Sequence, residues 1–99
     1  MNVAIAFGRL GLLDPKAMAE RYLDKVLKQW CLSIRTLKSG EEKESAFRGV
    51  CLMIPHNTVA ALNAFPYLCN AFVLYKDPSE SLHAMFSEIV HKFKTEIGS

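Results

Sequence analysis

The feature that most constrains this 99-residue chain is a set of apolar stripes at helical spacing that repeats along its length. Met18, Tyr22, Leu23, Val26, Leu27, Trp30, Cys31, Ile34 and Leu37 return to one face of a 3.6-residue helix, with Glu20, Arg21, Asp24, Lys25, Lys28, Gln29 and Arg35 on the other. A second stripe holds Ala46, Phe47, Val50, Cys51 and Ile54; a third holds Leu62, Phe65, Leu68, Cys69, Phe72 and Val73. The fourth carries Leu82, Met85, Phe86, Ile89, Val90, Phe93 and Ile97. Shifted by 39 residues, Leu23 falls on Leu62, Val26 on Phe65, Trp30 on Cys69 and Ile34 on Val73, and in the second helices Phe47 falls on Phe86, Val50 on Ile89, Cys51 on Val90 and Ile54 on Phe93. Long alternating runs and Asn-Gly or Asp-Gly hairpin turns are absent from the sequence, so the pattern predicts an all-α chain.

The punctuation agrees. Asp14-Pro15 reads as a capped helix start, because an Asp side chain accepts from free first-turn N–H groups and Pro needs no donor there. Ser39-Gly40-Glu41-Glu42 has the form of a capping box, and Glu41, Glu42 and Glu44 suit the positive end of a helix dipole. Pro55 ends the second helix and Asn57 caps the third. Pro66 lies inside that third stripe, where a missing N–H and a clash with the preceding turn predict a kink or break near Asn63–Pro66. Asp77-Pro78-Ser79 is a turn, and Gly98 ends the last helix.

A period near 40 with two antiparallel helices per unit is the signature of HEAT or armadillo repeats, whose units bury their apolar faces only by stacking on neighbours. The reading is a single α-solenoid segment of about two and a half HEAT repeats with right-handed superhelical stacking. Residues 1–13 are the second helix of a truncated repeat, 16–54 one repeat and 57–98 the next. The first helix belonging with Val3–Leu13 is missing from the pattern, so the sequence predicts a piece of a longer solenoid.

Composition excludes little else. Twelve Lys and Arg against ten Asp and Glu leave a formal charge of +2, too small for a nucleic-acid surface, and Lys25, Lys28, Arg35 and Lys38 form only a modest basic side without interleaved aromatics. Neither an apolar run long enough to span a membrane nor a secretory leader is visible. Cys31, Cys51 and Cys69 sit inside apolar stripes, which predicts buried, reduced thiols. His83 and His91 are eight residues apart, roughly 12 Å along a helix, too far for one metal ion. Neither a metal nor a cofactor is expected. No nucleophile–base pair or phosphate-cradling glycine run is present, so no enzymatic activity is expected.

The series Gly8-Arg9-Leu10-Gly11, Trp30-Cys31, Glu41-Glu42-Lys43-Glu44-Ser45-Ala46-Phe47-Arg48-Gly49 and His91-Lys92-Phe93-Lys94, in this order, resembles the C-terminal HEAT repeats of the transportin family, import receptors of the importin-beta class. Pro66 departs from that family's pattern, which has an ordinary apolar helix residue there. The resemblance implies a receptor that shuttles between cytoplasm and nucleus. It carries cargo proteins bearing a basic proline-tyrosine localisation signal past nucleoporins, with release by Ran-GTP bound to repeats outside this segment. The family's cargo-contacting tryptophans belong to earlier repeats, so Trp30 is read as core. Partner contacts are expected on the solvated faces of the second helices, at Glu41, Glu44 and Arg48 and at Glu80, His83 and Glu88, where acids would attract a basic signal. The competing reading is a solvated face with an i,i+4 pair, Glu44–Arg48, or with Arg48 linking adjacent repeats. Two other functions fit the pattern: a HEAT scaffold without a transport role, and a free-standing helical adaptor that dimerises through its apolar N-terminal segment.

Overall fold

The computed structural model describes residues 3–37, 40–75 and 78–97, with side chains up to residue 95. The Ser39 half of the predicted capping box, Lys38, Asp77 and the terminal Gly98-Ser99 lie outside the described residues. Helices α1 (Val3–Leu13), α2 (Pro15–Met18), α3 (Asp24–Ile34), α4 (Glu41–Met53), α5 (Thr58–Asn63), α6 (Phe65–Leu74) and α7 (Glu80–Ile97) follow in order. A π-type turn, Ala19–Leu23, joins α2 to α3, and a 3-10 turn, Ile54–His56, follows α4. Among the described residues there is no strand.

The helices form two layers. α1, α4 and α7 lie side by side in one, and α3 packs on α6 in the other. Between the layers runs the core. Phe47 of α4 sits at its centre, with ring centroids 5.1 Å from Trp30 of α3, 4.9 Å from Tyr75 and 5.4 Å from Phe86 of α7, while Phe72 of α6 stacks on Phe86 at 4.1 Å. Trp30 is buried, as read, and its indole N–H donates to the Ala4 carbonyl at 2.9 Å, tying α3 to α1.

The local signals act as their chemistry requires. Asp14 accepts from the Ala17 N–H and Asn57 from the Ala60 N–H, each at 3.2 Å. The third helix breaks at Ala64, and Pro66 falls in the first turn of α6, where its missing N–H costs nothing. At the start of α4 the structure corrects the capping box. Gly40, not Ser39, is the N-cap, with φ 156° and ψ −177°, a region open essentially to glycine.

The repeat register also needs a correction. The second helices do repeat at 39: Lys43, Phe47, Val50 and Ile54 are buried, and so are Leu82, Phe86, Ile89 and Phe93. In the first helices, Leu62 and Val73, the positions matched to Leu23 and Ile34, are exposed. Buried Ala19, Leu23, Leu27, Cys31 and Ile34 match buried Ala60, Ala64, Leu68, Phe72 and Tyr75, an offset of 41. The physical reason lies in the spacing. Ala19, Leu23 and Leu27 are four apart, which precesses around an ideal α-helix of 3.6 residues per turn. The wider π turn holds these residues on one line. Ala60, Ala64 and Leu68 keep the same spacing through the break before Pro66. Asn57 ties the start of α5 to the π turn, because its side-chain N–H donates at 2.9 Å to the Ala19 carbonyl.

Candidate partner surface

The six predicted positions differ in exposure. Glu41, Glu80, His83 and Glu88 are exposed, whereas Glu44 and Arg48 are half-buried between α4 and α7. The Ser79 N–H donates to Glu44 Oε1 at 2.9 Å, while Arg48 Nη2 reaches Glu44 Oε2 at 3.5 Å and Ser81 Oγ at 2.8 Å. Arg48 Nη1 also approaches Met85 Sδ at 3.8 Å. The i,i+4 pair therefore does more than decorate one helix. The carboxylate takes an N–H just ahead of α7 and the guanidinium grips the first turns of α7, so the pair clamps one second helix to the next. Arg48 thus bridges α4 and α7.

The Ser79 N–H holds the Glu44 carboxyl below its usual range, with the Ser79 hydroxyl and the Arg48 charge acting in the same direction and burial opposing them. A depressed folded value means stability that is present above the unfolded value of about 4.5 and is lost as pH falls through the folded one. Glu44→Gln keeps an acceptor for the Ser79 N–H but removes the charge. We expect it to cost about 0.5–1 kcal/mol near neutral pH, and to show a smaller loss of stability between pH 5 and pH 3 than the parent chain. Urea unfolding at several pH values measures both, and parallel pH profiles would contradict the clamp.

Lys43 was invisible to sequence reasoning. It is the one buried charged residue among the described residues, donating from Nζ to the Leu37 carbonyl at 3.0 Å and lying 5.2 Å from the centre of the Tyr75 ring. Burial pushes its ammonium below the usual lysine range. Its position closes the end of α3 against α4, and only its place within the Glu41–Gly49 run could have drawn attention to it.

Glu88 lies at a shallow groove of about 350 Å³ between the end of α4 and α7, with Leu52, His56 and Lys92 around it. The cysteines are not paired. Cys31 and Cys51 are buried, and burial pushes each thiol up to about 12. Cys69 is only half-buried, and its thiol is raised for the same reason. Among the described residues no three His, Cys, Asp or Glu side chains converge as a metal site would need, and no helix is long and apolar enough to cross a membrane.

Two layers of helices whose buried positions repeat at about 40 residues define a HEAT-like, all-α segment. Comparison with known proteins narrows this. The chain is 39% identical over 97 residues to Transportin-1 of Mus musculus, covering 98% of this chain and 11% of that protein. It is 34% identical over 97 residues to Transportin of Dictyostelium discoideum, covering 98% of this chain and 10% of that protein. It is also 40% identical over 93 residues to Importin subunit beta-2 of Schizosaccharomyces pombe, covering 90% of this chain and 10% of that protein. No family model matches. By sequence the chain is a relative of the transportins, matched almost end to end, and it spans about a tenth of the length of these curated relatives.

Proposed function

We propose that the chain serves as a binding scaffold within a nuclear import receptor of the transportin type. In this reading residues 1–13 close one repeat, and 16–54 and 57–98 form two more near the receptor's C-terminus. The receptor binds cargo carrying a basic proline-tyrosine localisation signal, passes nucleoporins, and releases cargo when Ran-GTP binds elsewhere in it. It shuttles between cytoplasm and nucleus and uses no catalytic step. The similarity to Transportin-1 across 98% of the chain is the observation that carries this reading.

Exposed Glu41 and Glu88 on the second-helix layer remain free to meet a basic signal, whereas Glu44 and Arg48 are engaged in the clamp. The test is titration calorimetry with a basic proline-tyrosine peptide at low and moderate salt. We expect salt-sensitive binding, weakened about tenfold by Glu41→Lys with Glu88→Lys, because surface charges act through screened, long-range attraction. Binding that ignores both salt and charge reversal would remove these residues from the cargo surface.

A further inference from the structure

Two joints between neighbouring second helices lie inside the segment, α1 on α4 and α4 on α7, and they are built differently. At the first, backbone meets backbone. A Cβ on Gly49 would strike the Gly8 carbonyl, one on Gly8 the Ala46 backbone, and one on Gly11 the Met53 side chain. The Trp30 indole N–H also holds the Ala4 carbonyl at 2.9 Å. Backbone atoms have no rotamers to exchange, so α1 cannot shift on α4 without a clash or a void.

At the second joint, side chains span the gap, and α7 contains no glycine. α4 and α7 run the same way, because Glu44 meets Ser79 near their starts and Cys51 and Leu52 face Ile89 and Lys92 further along. The leading halves are fastened. Glu44 accepts from the Ser79 N–H, Arg48 donates to Ser81, and the Phe47 ring lies 5.4 Å from Phe86, which stacks on Phe72 at 4.1 Å. The trailing halves instead enclose the groove of about 350 Å³. Half-buried Met85 stands between the two regions, lining the groove with its Sδ 3.8 Å from Arg48 Nη1. An unbranched thioether changes rotamer readily and fills gaps of changing shape. α1 and α7 each lie on the outside of the layer, so that position does not separate the two joints.

We infer that the α4–α7 joint is a hinge and the α1–α4 joint is not. The pivot is the Phe47–Phe86 contact with the Arg48 clamp beside it. About this pivot the trailing half of α7 swings toward α4 and closes the groove, Met85 repacking as it does so, while α1 and α4 move as one body. Packed helices accommodate such motion by small sliding movements taken up in side-chain rotamers. Glu41 therefore keeps its place relative to α1, whereas Glu88 travels with α7.

Pulsed electron–electron resonance on nitroxide pairs in the intact chain tests this. In a Cys69→Ala background the remaining native thiols, Cys31 and Cys51, are buried. Labels go on exposed positions: Leu52→Cys with Lys92→Cys across the groove, Glu42→Cys with Glu80→Cys across the fastened ends, and Leu13→Cys with Leu52→Cys across the glycine seam. Ala84→Cys with Lys92→Cys, both within α7, reports fraying of that helix. The groove pair should give the broadest distance distribution, with a population shifted to shorter separations, and the other three pairs narrow ones. Arg48→Met should broaden the fastened-end pair and leave the seam pair unchanged. Equal widths at groove and seam, or a seam pair broader than the groove pair, would overturn the hinge. So would an α7 pair as broad as the groove pair, or fastened ends unmoved by Arg48→Met.

Discussion

Phe47→Ala is expected to bring the chain close to unfolding at room temperature. Phe47 is 1% exposed and its ring touches aromatic side chains from both layers: Trp30, Phe72, Tyr75 and Phe86. Removing a buried Phe costs about 3–5 kcal/mol through lost transfer energy and the cavity left behind. Aromatic pairs arranged edge to face add about 0.5–1.5 kcal/mol each. A domain of this size has about 5–15 kcal/mol of stability in total. The same loss is about 12–40 °C in melting temperature, at about 4–8 °C per kcal/mol. Thermal unfolding followed by circular dichroism reads this directly. The exposed Leu52→Ala on the same helix is the control, expected within about 0.5 kcal/mol of the parent. Similar melting temperatures for the two variants would show that Phe47 is not the hub of the core.

The second large effect is expected at Gly49. Here α1 and α4 cross so closely that a Cβ on Gly49 would collide with the Gly8 carbonyl oxygen, and one on Gly8 with the Ala46 backbone. Gly11 sits against Met53 along the same seam. Backbone atoms cannot swing aside as a side chain does, so Gly49→Val must push the two helices apart. Overpacking of this kind costs about 1–3 kcal/mol and sometimes more. A bound of about 3 kcal/mol or above is expected here, because the Trp30–Ala4 bond and the burial of Ile5 and Phe7 depend on the same seating. Trp30 fluorescence should report the displacement of α1. A Gly49→Val chain that melts within about 1 kcal/mol of the parent, with unchanged Trp30 emission, would contradict the crossing.

Local chemistry was legible in the sequence. Asp14, Asn57 and Pro66 act within one turn of themselves, so their effects could be read from neighbours a few residues away. Period and burial were also legible in the second helices, which are unbroken. In the first helices the 39-residue match fails at Leu62 and Val73 because the π turn leaves no mark in residue type, and the break that Pro66 predicts does not by itself say how far the buried stripe shifts; the offset shows only when buried positions are compared. The close crossing of α1 and α4 is a long-range fact. Gly8, Gly11 and Gly49 lie within the series that carries the family resemblance, but the reason for glycine there lies in a partner helix some 40 residues distant in the chain.

The candidate surface shows the same division. Glu44–Arg48 could be read as a pair from its spacing. That both side chains reach α7 through Ser79 and Ser81 depends on how the two helices pack. Lys43 escaped notice because lysine is rarely buried unless paired, and its partners, the Leu37 carbonyl and the Tyr75 ring, come from the other layer's helices and their ends.

The measurement that tests the central claim most directly is a segment exchange. The matched stretch of Transportin-1 from Mus musculus is replaced by this chain, and binding of a basic proline-tyrosine signal peptide is compared between chimera and parent. If the chain is a scaffold segment of an import receptor, the chimera melts cooperatively and binds the peptide within about tenfold of the parent. A chimera that folds as stably as the parent but has lost peptide binding altogether would contradict the account.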